Sequence, residues 1–212
     1  MTREQLEHLI RAAAVIADDD TIVVIGSQAI LGQFPDAPAP MRVSTEADLF
    51  PWSHPERADV IEGSIGELSP FHETFGYYAH GVTEDTALLP QGWKERLVVI
   101  RNENTRGAKG LCLEVHDLLI AKSLAGREKD LAFLAEAARH RMADSEVLLR
   151  RLATVKVAEE IRAKALAMIK STFLTRHPES EPCELEGSGR REASALPDPS
   201  GRRGSPQDDG TE

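Results

Sequence analysis

Cysteine is almost absent from this 212-residue chain, which carries only Cys112 and Cys183. That excludes a disulfide-stapled secreted framework, and the spacing of the two thiols fits no zinc motif. No apolar run approaches the roughly 20 residues needed to span a bilayer. The N-terminus Met1-Thr2-Arg3-Glu4-Gln5 leads into a charged amphipathic segment rather than a secretory signal. A reduced, cytoplasmic setting with no membrane partner is therefore expected. Aromatic residues are scarce at 5%, and 25 Lys and Arg against 35 Asp and Glu leave a formal net charge of -10. Such a chain is not a general coat for nucleic acid, although a local basic patch can act within an acidic surface.

What the chain does contain is an ordered alternation of patterns. Residues 4–18 set Leu6, Leu9, Ile10, Ala13, Ala14 and Ile16 at helical spacings, with charges between them. Asp18-Asp19-Asp20 closes that segment; three adjacent carboxylates invite a metal, but a run of like charge is expected to be a solvated helix-to-strand turn. Thr21-Ile22-Val23-Val24-Ile25 is a β-branched run of the kind buried on both faces of a sheet. Gly26-Ser27 follows at once, Gln28 to Leu31 can open a helix, and three prolines within residues 34–40 impose a loop. Further strands are expected at residues 47–50, 77–82, 97–101 and 111–113, with a helix over 56–67. From Asp117 the pattern is helical, in segments 118–124, 127–141, 145–151 and 157–173. After His177, Pro, Gly, Ser and charged residues leave too little apolar surface to offset chain entropy, which predicts disorder. The chain thus divides into an α/β core (1–115), a helical C-terminal subdomain (116–176) and a disordered tail (177–212).

Chemistry concentrates at three places. In a strand over 47–50, Glu46 and Asp48 project to one face while Ala47 and Leu49 point to the other. Paired carboxylates repel unless a cation lies between them, and Mg2+ is held by one or two carboxylates together with substrate phosphates. Taken alone, the pair also fits a solvated acidic edge. Gly26-Ser27, between a buried strand and a helix start, offers close backbone approach, amides and a hydroxyl to a phosphate. On the helical side, Lys122 and Arg127 present an ammonium and a guanidinium suited to phosphate oxygens, though Arg127 and Asp130 are one turn apart and can simply pair. Residues 71–80 gather aromatics and histidines that could meet a base or pack a strand start; His72 and His80 lack metal-ligand spacing. Lys94, Arg96, Arg101, Arg106 and Lys109 form a loosely basic stretch that could touch an RNA backbone or remain solvated loop charge.

The order Ile22-Val23-Val24-Ile25-Gly26-Ser27-Gln28-Ala29, then Thr45-Glu46-Ala47-Asp48, resembles the nucleotidyltransferase superfamily. Its members carry a strand ending in Gly-Gly or Gly-Ser, a helix, and a strand with an acid-x-acid pair. Leu118 to Leu131 is similar to the Lys-x-Leu-x-x-Arg-x-x-Asp region of the minimal nucleotidyltransferase toxins, which include the toxin of the type IV abortive-infection pair and mycobacterial enzymes that modify transfer RNA. The resemblance runs from Ile22 to Arg139 with a poorly matched middle. It implies a small mixed sheet with flanking helices, in which Gly26, Ser27, Lys122 and Arg127 hold a nucleoside triphosphate and Glu46 and Asp48 bind Mg2+. Asp48, Lys122 and Asp130 are the implied catalytic set. The implied reaction is attack of an acceptor hydroxyl, on RNA such as tRNA or on protein, at the α-phosphate, with an antitoxin-like partner as a regulator. The pair opens with Glu46 where aspartate is commoner, moving one carboxylate by more than an ångström, and Glu114 is the candidate for a third acid. The alternative is a non-catalytic nucleotide-binding or interaction protein that keeps the fold.

Overall fold

The computed structural model describes residues 1–174, which belong to one compact unit; the tail expected to be disordered (177–212), and Cys183 with it, lies outside the described residues. Helix α1 (Arg3–Ala17) starts at a reciprocal cap, with Thr2 Oγ1 accepting from the Gln5 amide and the Gln5 side chain accepting from the Thr2 amide. Leu6, Leu9, Ile10 and Ala13 form its fully buried stripe, each large side chain contributing about 1.5–3 kcal/mol by leaving water. The helix ends on Asp18 in the left-handed region, φ 51°. Asp19 departs from the expected solvated turn. It is buried, and its carboxylate accepts from the Thr21 amide at 3.0 Å and the Ser53 amide at 2.6 Å. Those amides make its burial tolerable and stitch the entry of one strand to the exit of another.

Those strands are β1 (Thr21–Ile25) and β2 (Glu46–Pro51). With β3 (Tyr78–Gly81), β4 (Val98–Ile100) and β5 (Lys109–Cys112) they form a mixed sheet of order β3-β2-β1-β5-β4. β1 is central, antiparallel to β2 and parallel to β5, which is why its run carries no charged residue; β2 and β3 are parallel, and β4 and β5 antiparallel. After β1 the expected helix resolves into a 3-10 turn (Ser27–Ala29) and a single-turn α2 (Ile30–Gln33). α3 (Ala58–Ile65) packs on α1, β2 and β3. A further helix, α4 (Pro70–Phe75), lies where the aromatic content points to a strand start: Ser69 caps it by accepting from the His72 amide at 3.2 Å, and Pro70 occupies the first turn. Phe71 and Phe75 then cluster with His8 and Tyr77, ring centroids 4.7 to 6.0 Å apart.

The helical half is α5 (Val115–Ala125), α6 (Glu128–Arg139), α7 (Ser145–Leu152) and α8 (Glu159–Ile169), followed by a π-helical turn (Lys170–Leu174). α5 is the hub that touches the other three. Its first turn is anchored by charge. Asp117, fully buried, accepts from Arg96 at 2.8 Å and from Arg151 at 3.0 Å, and Glu114 accepts from the same Arg151 and from His116. Burial pushes the Glu114 carboxyl up, but His116 and Arg151 more than offset this and hold it below its ordinary value. Between β3 and β4, Lys94 pairs with Glu84 and sets its ammonium 5.6 Å from the Trp52 ring and 5.4 Å from the Trp93 ring. Cys112 is buried, which pushes its thiol up to about 12. Among the described residues no helix is long and apolar enough to cross a membrane.

The Glu114 carboxyl is depressed in the fold, so its stabilising contribution is present above the ordinary glutamate value and is lost as pH falls through the depressed one. Glu114→Gln is therefore expected to flatten the acid limb of a plot of urea midpoint against pH. Asp117→Ala, which strips two guanidinium groups of their buried counter-charge, is expected to cost about 3 kcal/mol in urea unfolding at pH 7.

Candidate active site

Strand register builds the centre of the site. β2 sets Glu46 beside Tyr78 and Asp48 beside His80 on β3, while β1 sets Ile25 beside Asp48. Ala47 and Leu49 are buried and Glu46 and Asp48 are partly exposed, as the alternation along β2 requires. The chain leaves β1 through Gly26 at φ 70°, and a Cβ there would lie 1.8 Å from Asp48 Oδ2. Glycine is thus demanded twice, by the left-handed backbone and by the carboxylate pressed against it.

Each acid has a partner on β3. The Tyr78 hydroxyl donates to Glu46 Oε2 at 3.2 Å, and His80 Nδ1 lies 3.0 Å from Asp48 Oδ1. Burial, with Glu46 beside it, raises the Asp48 carboxyl above its ordinary value despite His80 and Lys122. Burial and the same Glu46 push the Tyr78 phenol up to about 12.

Facing the turn after β1, α5 delivers Lys122. Its side chain is 6% exposed, and Nζ donates to Ser27 Oγ at 2.8 Å and to Asp130 Oδ1 at 3.1 Å, 4.4 Å from the Phe133 ring centroid. Burial lowers the Lys122 pKa, and Asp130 works against that shift. Asp130 is itself fully buried and accepts from Arg127 Nε at 2.7 Å and from the Arg127 amide at 3.3 Å. Burial would raise its carboxyl, but Arg127 and Lys122 hold it down. Arg127 keeps most of its side chain in solvent.

A cleft of about 350 Å³ opens over these groups, lined by Gly26, Ser27, Glu46, Asp48, His80, Lys122, Arg127 and Lys129 and by residues 86–88. Six of the seven residues singled out in the sequence therefore share one cavity: Gly26, Ser27, Glu46, Asp48, Lys122 and Arg127. Asp130 does not line it; it lies behind Lys122 and Arg127 and holds both. Glu114, the candidate third acid, is also absent from the lining and belongs to the Arg151 network instead. The basic stretch is dispersed: Lys94 goes to Glu84, Arg96 to Asp117, and Arg101 and Arg106 border a separate cavity with Asp18, Asp19 and Asp20. Because the helix after Ser27 is so short, a helix dipole contributes little at this turn, and the positive group beside it is the Lys122 ammonium.

His80, Tyr78 and Lys129 were not singled out by the motif. The spacing of Tyr78 and His80 does repeat that of Glu46 and Asp48 with a period of two; only the β2–β3 register, which no local pattern encodes, brings the two pairs together. Among the described residues no group of three or more His, Cys, Asp and Glu could hold a metal ion. Two carboxylates alone could hold only a cation that takes its other ligands from water and substrate, as Mg2+ does, and not a metal that needs an all-protein cage.

A family model described as "Nucleotidyltransferase of unknown function (DUF6036)" matches residues 4–175. The chain belongs to this family. The match runs from the first turn of α1 past the end of α8, so it takes in both the Gly26–Asp48 pairing and the Lys122–Asp130 segment. Comparison with curated proteins and with solved structures finds no match. Membership implies a nucleotide substrate.

Gly26→Ala is expected to lower stability by at least about 1 kcal/mol from strain at a positive φ that only glycine adopts freely, and to abolish any rise in melting temperature on adding Mg2+. Asp48→Asn removes a carboxylate whose charged form the fold disfavours. Without divalent ions at pH 7 it should melt above the parent protein, yet show no Mg2+-induced rise; an unchanged Mg2+ response would exclude Asp48 as a ligand.

Proposed function

We propose that the protein is a magnesium-dependent nucleotidyltransferase that moves a nucleotide from a nucleoside triphosphate to a hydroxyl of an RNA or protein acceptor. The observation that carries this is the packing of Asp48, with Glu46 one strand-alternation away, directly against the Gly26-Ser27 turn that Lys122 caps from the opposite element. Carboxylates for a metal and donors for phosphate thus meet in one cleft. Lys122 and Arg127 would bind phosphate oxygens, Arg127 in the planar two-donor manner of a guanidinium. The Ser27 hydroxyl, now accepting from Lys122, can turn its proton toward a phosphate oxygen. Asp130 is a positioning residue: it keeps the buried Lys122 charged and aimed. His80 and Tyr78 fix the rotamers of Asp48 and Glu46. Mg2+ held by that pair would neutralise phosphate charge and lower the pKa of the acceptor hydroxyl. The rest of the rate enhancement comes from holding acceptor oxygen and α-phosphorus in line.

The same chemistry directed at tRNA would make the protein toxin-like, with an antitoxin-like partner to restrain it. One observation favours a second reading, a nucleotide-binding protein without transfer activity: among the described residues the cleft is lined by two carboxylates and no third. The assay that separates the two is incubation with each labelled nucleoside triphosphate, Mg2+, and total RNA or total protein. Labelled acceptor is expected, reduced about 100-fold or more in Asp48→Ala, the size of effect seen when one group stabilising transition-state charge is removed. Nucleotide binding without labelled product would favour the second reading, and absence of both would exclude the proposal.

A further inference from the structure

Gln28 directly follows the phosphate turn and is 1% exposed, yet neither its amide nitrogen nor its amide oxygen has a hydrogen-bond partner among the described residues. An unpaired buried donor and acceptor on one side chain is rare in folded proteins and calls for a cause. Gln28 also forms part of the wall of a second cavity, of about 620 Å³, whose apolar lining includes Met41, Val43 and Phe133. This cavity adjoins the active-site cleft, and Ser27, Glu46, Lys122 and Lys129 line both. A ligand held at Ser27 and Lys122 by its phosphates can therefore extend into it. The volume is that of a small-ligand site, and the lining sets the apolar Met41, Val43 and Phe133 beside polar side chains, Gln28, Ser44 and Glu136 among them, the mixed form usual for such a site.

We propose, on the strength of the nucleotidyltransferase assignment above, that this second cavity receives the base of the nucleoside triphosphate and that Gln28 reads its edge. A carboxamide presents one donor and one acceptor side by side, complementary to the adjacent acceptor and donor on a nucleobase edge. Three rotatable bonds let Gln28 swing its amide from beneath the cavity surface to the ligand. Met41, Val43 and Phe133 supply the apolar surroundings that a base prefers to water. The partner missing from the free protein is then the substrate itself, and a base that cannot pair leaves the amide buried and unsatisfied.

The test is calorimetric binding of ATP, GTP, CTP, UTP and inorganic tripolyphosphate to the full chain with Mg2+. Gln28→Leu, which keeps the volume and removes the amide, is expected to weaken the preferred triphosphate by about 5- to 150-fold, the range for one bidentate contact. It should also erase the preference among the four bases and leave tripolyphosphate binding unchanged. Ala132→Trp, at an exposed position on the cavity lining, is expected to give the same split without altering the core, and it stands as the test should Gln28→Leu fail to fold. Unaltered triphosphate affinities and preference in a folded variant overturn the base subsite while leaving the phosphate site in place. Equal loss of triphosphate and tripolyphosphate overturns it as well, because Gln28 would then act on the phosphate turn. Failure of the parent protein to bind any of the five probes removes the nucleotidyltransferase assignment together with the subsite.

Discussion

A single ammonium group kept almost out of water organises the rest of this protein. Burial disfavours the charged form of Lys122, and Asp130 opposes that from the next helix. Asp130, fully buried, in turn needs more than one cation, and Arg127 closes the triad with its side chain and its own amide. The other end of Lys122 rests on Ser27, in the turn leaving the central strand. One chain of charge-assisted contacts therefore joins β1 to α5 and α6. The groups proposed to meet phosphate are the same groups that hold the helices to the sheet.

Steric exclusion plays the complementary part on the sheet side. Asp48 can lie against the backbone only because residue 26 has no Cβ, and that contact brings the acid to the mouth of the Ser27 turn. The raised Asp48 carboxyl measures the electrostatic cost of the arrangement: a buried acid beside a second acid, incompletely compensated by His80 and Lys122. Such stored repulsion is what a cation bound at the pair would relieve. In active sites local stability is commonly lower so that ligand affinity can be higher.

Much of this was readable from local pattern. The β-branched run of β1, the alternation of Glu46 and Asp48, and the apolar stripes of the helices depend on neighbours within a few residues, and the structure places them where the sequence does. The elements that escaped are those decided at a distance or by competing signals. His80 and Tyr78 reach the acids through the parallel register of β2 and β3, which connects residues 32 apart. Asp19 reads as solvated because its acceptors' partners, the amides of Thr21 and Ser53, come from two different strand ends. Glu114 reads as a third site acid until Arg151, from α7, is seen to claim it. The α4 helix was hidden because its aromatic content outweighs a correct Ser69-Pro70 start signal.

The Lys94 bridge between β2 and the segment before β4 carries a practical consequence. The chain has two tryptophans, and both rings lie within 6 Å of that one ammonium, Trp52 in part solvent-exposed and Trp93 buried. The loop holding Trp93 also contributes residues 86–88 to the cleft. A shift of the Lys94 ammonium would change the surroundings of both indoles at once, so intrinsic fluorescence reports on the geometry of the segment that borders the cleft.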